Sequence, residues 1–287
     1  MKGFDNMSYW KKRMLAAQQN LSDKSIDEMN KQLRKYYLSA MQNTIKDFEA
    51  VYDKVLSAAE DGKPITPAWL YQLDRYWQMQ AQLNKRLQKL GDKTCSTLSS
   101  GFEKEYKHIY SALTIDSEGK AVKAAISDKA FVTINEQGAK YVANQVWCAD
   151  GKSWSQRVWG NINDLQQTLN DGLIDCVVTG KKTTQLKKQL MERFNVSYNR
   201  ANTLVRTEIT HIETQAALDR YKDSGIKQVQ ILVDADERTC DSCAGKQKQF
   251  VDIDKAEPGV NVPPFHPNCR CCVIPVVKTA EEEKQEE

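Results

Sequence analysis

The sequence contains no hydrophobic run long enough to cross a membrane, for which about 20 consecutive apolar residues are needed. It also lacks a secretory signal, because residues 1–20 are amphipathic and charged rather than apolar. Neither charge is in excess: the formal net charge is +3 over 287 residues, too balanced to indicate nucleic-acid binding from composition. We therefore expect a protein without membrane partners, made in a reducing cytoplasm and long enough for one large or two modest domains.

Cysteine is sparse except near the C-terminal end, where five of the eight cysteines occur. Cys240 and Cys243 form a CxxC pair, while His266 and Cys269 form an HxxC pair that is followed after one residue by Cys271. Two short chelating pairs joined by a loop are typical of a four-coordinate zinc site, because thiolate and imidazole are preferred zinc ligands. Turn-forming residues flank both pairs, which strengthens this interpretation.

Five candidate ligands compete for four positions around the ion. The sequence favours Cys240, Cys243 and the HxxC pair, His266 and Cys269, with Cys271 as the substitute for the fourth ligand. No acidic general base accompanies these residues, so we predict a closed, structural Zn²⁺ site. The alternative is a disulfide or a group of reduced buried thiols, and a reducing cytoplasm favours metal over disulfide.

Apolar residues recur at three- and four-residue intervals through the first 116 residues, which indicates amphipathic helices. None of these helices can bury its apolar face alone, so we predict an N-terminal helical hairpin or bundle at 1–116. The predicted helices are a short one over 10–20, a long one capped by Ser22 and Asp23, one from Pro67 that stops at Gly91, and one from Thr94 to Leu113.

A hinge is predicted at 117–129, followed by a second domain at 130–278 and an acidic, disordered tail at 279–287. The helical period ends at Gly225, after which alternation and β-branched residues take over. A sheet of only a few strands cannot hold a core by itself, and we expect a zinc ion to stabilise it. The predicted fold class is therefore mainly α with a small C-terminal α+β module clipped by zinc. In this domain we predict helices at 134–147, 153–177, 186–194 and 198–223, with a turn at 195–197, and strands at 227–233, 249–253 and 271–277.

Two further patterns allow sharper interpretations that we do not favour. Glu105 with His108 and Glu208 with His211 have the Glu-x-x-His spacing of di-iron bundles, but no convincing further pair of glutamates accompanies them. A basic run around the predicted turn at 195–197 suggests a helix-turn-helix for DNA, although solvated basic side chains on a helical hairpin are commoner. The basic residues are Lys181, Lys182, Lys187, Lys188, Arg193 and Arg200.

Three ordered motifs resemble the phage minor head protein family, which includes Mu F-like and SPP1-type head morphogenesis proteins. They are Arg206-Thr207-Glu208, the segment 236–245 around the CxxC pair, and the segment 263–271 around the HxxC pair. The segment 147–159 is also similar to the branch of this family from phages of Gram-positive bacteria. The resemblance covers about residues 130–277, with one departure: family members often carry Trp where this chain has Ile231.

This resemblance implies a minor capsid protein that lies in the virion, inside the head near the portal. Its expected partners are the portal protein and other capsid or scaffold proteins, in head assembly or in genome packaging or ejection. Some relatives bind DNA without sequence preference, which extends the expectation to non-specific contact with phage DNA. Arg206 and Glu208 are expected to form a structural charge pair that ties the long helix to its neighbours.

The alternatives are a zinc-supported nuclease of the HNH type and a plain DNA-binding module. An HNH-type nuclease needs a free histidine base beside a divalent metal ion. Here His266 is committed to the zinc knuckle and His211 lies far upstream. We therefore expect no enzymatic activity.

Overall fold

The computed structural model confirms the fold class, mainly α with a small C-terminal α+β module. Helices dominate, and a three-stranded antiparallel sheet lies near the C-terminal end. The predicted tail at 279–287 and all but the last residue of the predicted hinge at 117–129 fall outside the described residues. The structure describes residues 6–62, 65–113, 129–179, 182–233 and 236–277.

The first two helices are continuous with each other. Helix α1 (Asn6–Ala17) leads through a π-helical turn at Gln18–Ser22 directly into α2 (Asp23–Glu60). The predicted helix cap at Ser22 and Asp23 is therefore wrong. Asp23 has helical backbone angles, φ −63° and ψ −39°, and the Ser22 hydroxyl donates to the Glu105 carboxylate at 2.7 Å instead of closing a helix end.

The helix predicted from Pro67 begins where expected but lasts for only one turn, α3 (Pro67–Leu70), which Thr66 caps by accepting a hydrogen bond from the Trp69 N–H at 3.1 Å. Helix α4 then runs from Asp74 to Ala112. The three- and four-residue spacing of apolar residues predicts Trp77 on the inner face of this helix, and that prediction is wrong: the side chain is 56% exposed. Its ring stacks on Tyr71, and its Nε1–H donates to the Tyr71 carbonyl oxygen at 2.7 Å.

Helix α4 passes straight through Gly91, so the predicted helix end there is wrong. A Cβ at position 91 would lie 2.4 Å from Cζ3 of Trp159, which shows that the indole ring rests on the bare backbone of this turn. Gly91 is thus present for close packing, not for termination. Without knowledge of this partner, a glycine late in an amphipathic run is indistinguishable from a helix stop.

The remaining helices are α5 (Lys129–Asn144), α6 (Trp154–Val178) and α7 (Thr183–Asp223). The predicted turn at 195–197 is wrong, because α7 is one helix of 41 residues. Phe194 and Ala201 are both buried on the same continuous packed face, and the Ser197 carbonyl oxygen accepts a hydrogen bond from Asn161 Nδ2 at 2.8 Å. Tertiary packing here overrides the weak helix propensity of the local sequence.

Gly225 ends α7 with φ +77°, a left-handed conformation that favours glycine, and the Ile226 N–H closes the end on the Tyr221 carbonyl oxygen at 2.9 Å. The three predicted strands are confirmed, although each is shorter than expected. They are β1 (Gln228–Leu232), β2 (Phe250–Asp252) and β3 (Cys272–Pro275), and the one-turn helix α8 (Asp241–Ala244) lies between β1 and β2. The strand order is β2-β1-β3.

Packing groups the chain into two compact units, each assembled from separate segments. The first contains the sheet and the C-terminal cysteines, and Trp10, Phe102 and Tyr221 lie in its core. The second is helical, with Leu33 and Phe48 in its core. The segments of the first unit are 1–29, 98–154 and 203–287, and those of the second are 30–97 and 155–202.

The predicted domain limits, 1–116 and 130–278, stay predictions.

Among the described helices, none combines the length and apolar character that crossing a bilayer demands.

The contact between Gly91 and Trp159 yields a test within the helical unit. Gly91→Ala should destabilise the fold by about 1–3 kcal/mol, because the new methyl group overlaps the indole ring and this cost exceeds the gain in helix propensity of about 1 kcal/mol. Gly172→Ala on α6 is the matched control, since no atom lies within 4 Å of its added Cβ. It should be neutral or stabilising. Urea unfolding of both variants measures the difference, and equal stabilities would contradict the packing described.

Candidate metal centre

The CxxC pair is built on the single turn of α8. Cys240 has an extended backbone, φ −78° and ψ 157°, and caps this turn: its Sγ accepts a hydrogen bond from the Cys243 N–H at 3.4 Å. The turn directs both sulfur atoms to one side. Cys243 is buried, whereas Cys240 is exposed to solvent.

The HxxC pair forms a second tight turn, in which the Cys269 N–H donates to the His266 carbonyl oxygen at 3.1 Å. Asn268 takes up a left-handed conformation, with φ +60°, that brings the chain back. Helix α7 holds this turn at two points. Thr207 Oγ1 accepts the Asn268 N–H at 3.0 Å, and Thr210 Oγ1 donates to the Cys269 carbonyl oxygen at 2.7 Å.

The two turns bring all five predicted ligands together. His266 Nε2 lies 3.3 Å from Cys240 Sγ and 3.0 Å from Cys243 Sγ, and the sulfur atoms of Cys243 and Cys269 are 4.0 Å apart. The sulfur of Cys271 lies within 4.8 Å of those of Cys243 and Cys269. A tetrahedral zinc site with bonds of about 2.3 Å to sulfur and about 2.0 Å to nitrogen has ligand separations of about 3.5–3.8 Å. The donors form two overlapping groups that share Cys243, one with Cys240 and His266 and one with Cys269 and Cys271. Within each group the ligand atoms lie within 4.8 Å of one another, so each group could hold a metal ion.

The imidazole of His266 is oriented for coordination through Nε2. Its Nδ1 lies 2.8 Å from the Pro267 carbonyl oxygen, so Nδ1–H donates to that oxygen and the Nε2 lone pair faces the sulfur atoms. A backbone carbonyl that fixes the tautomer in this way is a common support of metal-bound histidine. The sequence alone did not reveal this contact.

Hydrogen bonds distinguish the two candidates for the fourth position. The Cys271 thiol donates to Cys269, and the backbone N–H groups of Phe265 and Cys271 also donate to it. Against the opposing effect of burial, these hydrogen bonds together lower the pKa of Cys269 to about 5. The same hydrogen bond, followed by burial, raises the pKa of Cys271. Cys269 also shares its turn with His266. These shifts in pKa favour Cys269 over Cys271 as the thiolate, and the identity of the fourth ligand stays a prediction.

Apolar side chains close the buried side of the cluster. Ile231 and Val233 pack against the three buried cysteines, with Phe265 partly buried beside them. Ile231, the position at which the resemblance shows a departure, is 1% exposed and so acts as a core residue. A hydrophobic shell of this kind limits the access of water to a metal.

An exposed charge cluster joins the loop before the CxxC pair to the HxxC turn. The guanidinium of Arg270 donates to both carboxylate oxygens of Asp236, at 2.5 and 2.7 Å, and Arg238 Nη2 lies 2.9 Å from the same carboxylate. The hydrogen bond from Arg270 is the largest influence that lowers the pKa of Asp236. Sequence reasoning missed this link, although all three residues lie within the recognised motifs.

The motif Arg206-Thr207-Glu208 connects α7 to three different segments. Arg206 Nη1 lies 3.9 Å from the Asp23 carboxylate, and Glu208 accepts a hydrogen bond from Trp147 Nε1 at 2.9 Å. Thr207, which sequence analysis passed over, contacts the HxxC turn. The structural role predicted for Arg206 and Glu208 stays a prediction, but their neighbours are now identified.

The other candidate patterns lie apart from the cysteine cluster. His211 stacks on Trp147 with ring centroids 4.7 Å apart, is 1% exposed, and has its pKa lowered to about 3 by burial. In the basic run, Lys187 pairs with Glu49 at 2.5 Å and Arg200 with Asp164 at 2.9 Å, while Lys181 falls outside the described residues. These ion pairs favour a solvated helix face over a DNA-binding surface.

Residues 167–274 match the family model of phage Mu protein F-like proteins. The match covers a little more than a third of the chain and includes Arg206-Thr207-Glu208 and both chelating pairs. It confirms the resemblance to the phage head morphogenesis family over this segment. Neither the curated proteins nor the solved structures yielded a match.

The first prediction of this site concerns metal content. Cys243→Ser should remove bound zinc, measured by elemental analysis, and lower the melting temperature, because a structural metal contributes its binding energy to folding. Cys95→Ser is the matched control, since Cys95 lies outside the cluster. Equal metal content in the two variants would exclude Cys243 as a ligand. Of the two candidates for the fourth ligand, Cys269→Ser should lose the metal and Cys271→Ser should keep it.

A second prediction concerns the support that α7 gives to the HxxC turn. Thr207→Val removes the acceptor of the Asn268 N–H, so metal affinity should fall by about 10–100-fold, as it does when supporting contacts of metal ligands are lost. Thr207→Ser keeps the hydroxyl and should restore the affinity. Competition with a chromogenic chelator measures the affinity. Equal loss in both variants would contradict this role of the hydrogen bond, because serine keeps the hydroxyl that valine lacks.

Proposed function

We propose that this protein is a phage minor head protein that acts in head morphogenesis, associates with the portal protein, and carries a structural Zn²⁺ ion in its C-terminal module. One observation carries the proposal: the segment that matches the head protein family contains both chelating pairs, and these pairs lie close together in the structure. We place the protein inside the virion head near the portal.

Zinc is the ion that the donor set supports best. All candidate ligands are thiol or imidazole groups, which zinc prefers, and carboxylates are not among them. Cys240, Cys243, His266 and Cys269 would hold the ion, and Cys271 would donate a hydrogen bond to Cys269. When bound, the ion supplies a fixed crosslink between the loop that follows β1 and the turn that precedes β3. Such a crosslink compensates for a sheet too small to be stable alone.

A nuclease of the HNH type is the less favoured alternative. It needs an accessible histidine as general base. His266 has one ring nitrogen engaged by Pro267 and the other directed at the cysteine sulfur atoms, while His211 is almost completely buried. These positions support a non-catalytic protein. Nicking of supercoiled plasmid in Mg²⁺ or Mn²⁺ by purified protein would contradict the proposal.

The N-terminal helical half is the part that we propose docks on the portal. The second unit presents an aromatic cluster of Tyr71, Tyr76 and Trp77 at the start of α4, with ring centroids 5.3–6.0 Å apart. Trp77 is 56% and Tyr71 43% exposed, yet the hydrogen bond from the indole Nε1–H fixes their arrangement. Preformed exposed tryptophan and tyrosine are typical of the energetic centres of protein interfaces.

The test is co-purification of the full chain with the portal protein of the same phage. Replacing Tyr71 and Trp77 together by alanine should weaken binding by about 30-fold or more, the effect of losing about 2 kcal/mol at an interface centre. Tyr141→Ala is the control, because Tyr141 is 69% exposed but lies in the first unit. Undiminished binding by the double variant would reject the aromatic cluster. Absence of binding by the unaltered chain would reject portal association itself.

A further inference from the structure

A pair of buried carboxylates lies in the first unit, on residues that the metal centre does not use. Glu105 of α4 is 0% exposed and Glu213 of α7 is 3% exposed. Glu105 accepts hydrogen bonds from two hydroxyls: Ser22 Oγ at 2.7 Å and Ser25 Oγ at 2.5 Å. Both serines belong to the junction of α1 and α2, so this carboxylate ties that junction to α4.

Glu213 faces the same junction. Gln18 and Ser22, the first and last residues of the π-helical turn, both contact its carboxylate. The Ser22 hydroxyl has only one proton, which it donates to Glu105, so it cannot also donate to Glu213. Glu213 Oε1 is left without a hydrogen-bond partner among the described residues. Burial of a carboxylate oxygen that accepts no hydrogen bond favours the protonated form of the carboxyl group.

The charges around the pair do not neutralise it. The titratable groups that face Glu213 are Glu105, Asp23 and Tyr221. Two arginines lie near these neighbouring groups but are engaged elsewhere. Arg206 lies beside Asp23, and the Arg13 guanidinium, which lies near Tyr221, donates to the Ala112 carbonyl oxygen. Within the described residues, no lysine or arginine forms an ion pair with either glutamate. Two buried carboxylates this close together cannot both remain ionised without a large cost.

We propose that Glu105 and Glu213 hold one proton between them, and that this proton latches the N-terminal segment 6–22 onto α4 and α7. With the proton in place, a neutral Glu213 donates to the Ser22 hydroxyl oxygen, whose own proton goes to Glu105. Gln18 contacts the same carboxyl group. Once the proton leaves, two negative charges face each other in a dry site. The segment 6–22 then opens and admits water.

This segment is the one that moves because it is the shortest element at the site. Helix α1 has 12 residues, whereas α4 and α7 have 39 and 41 residues and continue far beyond the pair. Two buried side chains, Trp10 and Met14, fasten α1, and the Trp10 ring meets Tyr221 edge-on at 6.0 Å. The shared proton and the contact of Trp10 with Tyr221 both hold segment 6–22. Loss of the proton therefore also weakens the aromatic contact.

The direction of the pH dependence follows from the environment of Glu213. Burial first, and the charge of Glu105 next, raise the pKa of Glu213 well above 4.5. The closed state therefore binds a proton that the open state releases. The latch is fully stable below about pH 4.5 and loses stability as the pH rises from there through the pKa of the closed state. Within that interval the opening equilibrium should increase about tenfold per pH unit.

Hydrogen exchange of segment 6–22 in the zinc-loaded full chain tests the latch. Protection factors, which correct for the pH dependence of intrinsic exchange, would be measured between pH 5 and 9. The wild-type protein should lose protection in this segment as the pH rises. Glu213→Gln, a neutral isostere of the protonated side chain, should keep protection high throughout. Glu192→Gln is the matched control: it removes the same charge from an exposed position on the same helix and should behave as wild type.

Three results would overturn the proposal. Protection that is independent of pH in the wild type would show that no proton is exchanged on opening. Glu213→Gln that follows the wild type, or fails to fold, would show that a neutral side chain does not reproduce the closed state. Protection restored at high pH by added Mg²⁺ or Ca²⁺ would show that a cation, not a proton, occupies the pair.

Discussion

The hydrogen bonds between α7 and the HxxC turn are the constraint on which the C-terminal module depends. Thr207 and Thr210 lie one helical turn apart and hold the backbone at Asn268 and Cys269. A rigid helix thus positions one chelating pair before any ion binds. The other pair is shaped by its own one-turn helix and drawn to the first by the contact of Arg270 with Asp236. A metal site supported from a helix in this way is more sharply defined than one built on loops alone.

The parts of this structure that could be predicted from sequence are those fixed by local spacing. Both chelating pairs, the three strands and the end of α7 at Gly225 follow from the order of residues within a few positions. The predicted helix ends at Gly91 and 195–197 and the cap at Ser22 failed for a common reason. Each lies where a side chain from elsewhere in the chain decides the outcome: Trp159 over the glycine, Asn161 on the Ser197 carbonyl, and Glu105 on the serine.

Buried polar residues were the other part that sequence reasoning did not foresee. Glu105 follows Phe102 by three residues and precedes Ile109 by four, so it falls on the apolar stripe of its helix, and this was the available signal. The position alone cannot say what covers the carboxylate, because Ser22 and Ser25 are 80 or more residues away. Thr207 was overlooked between two charged neighbours, although it makes the contact that supports the metal site.

The C-terminal half of α7 therefore carries two kinds of polar contact with opposite consequences. The hydroxyls of Thr207 and Thr210 meet backbone groups, are fully matched, and do not change with pH, so they favour one fixed arrangement. Glu213 lies near the carboxylate of Glu105, and the repulsion between the two groups is relieved only while a proton is bound. Apolar residues at both places would add stability but would not make the two contacts differ in their response to pH. This half of the helix thus combines a rigid contact that supports the metal site with a contact to the N-terminal segment 6–22 whose strength depends on pH.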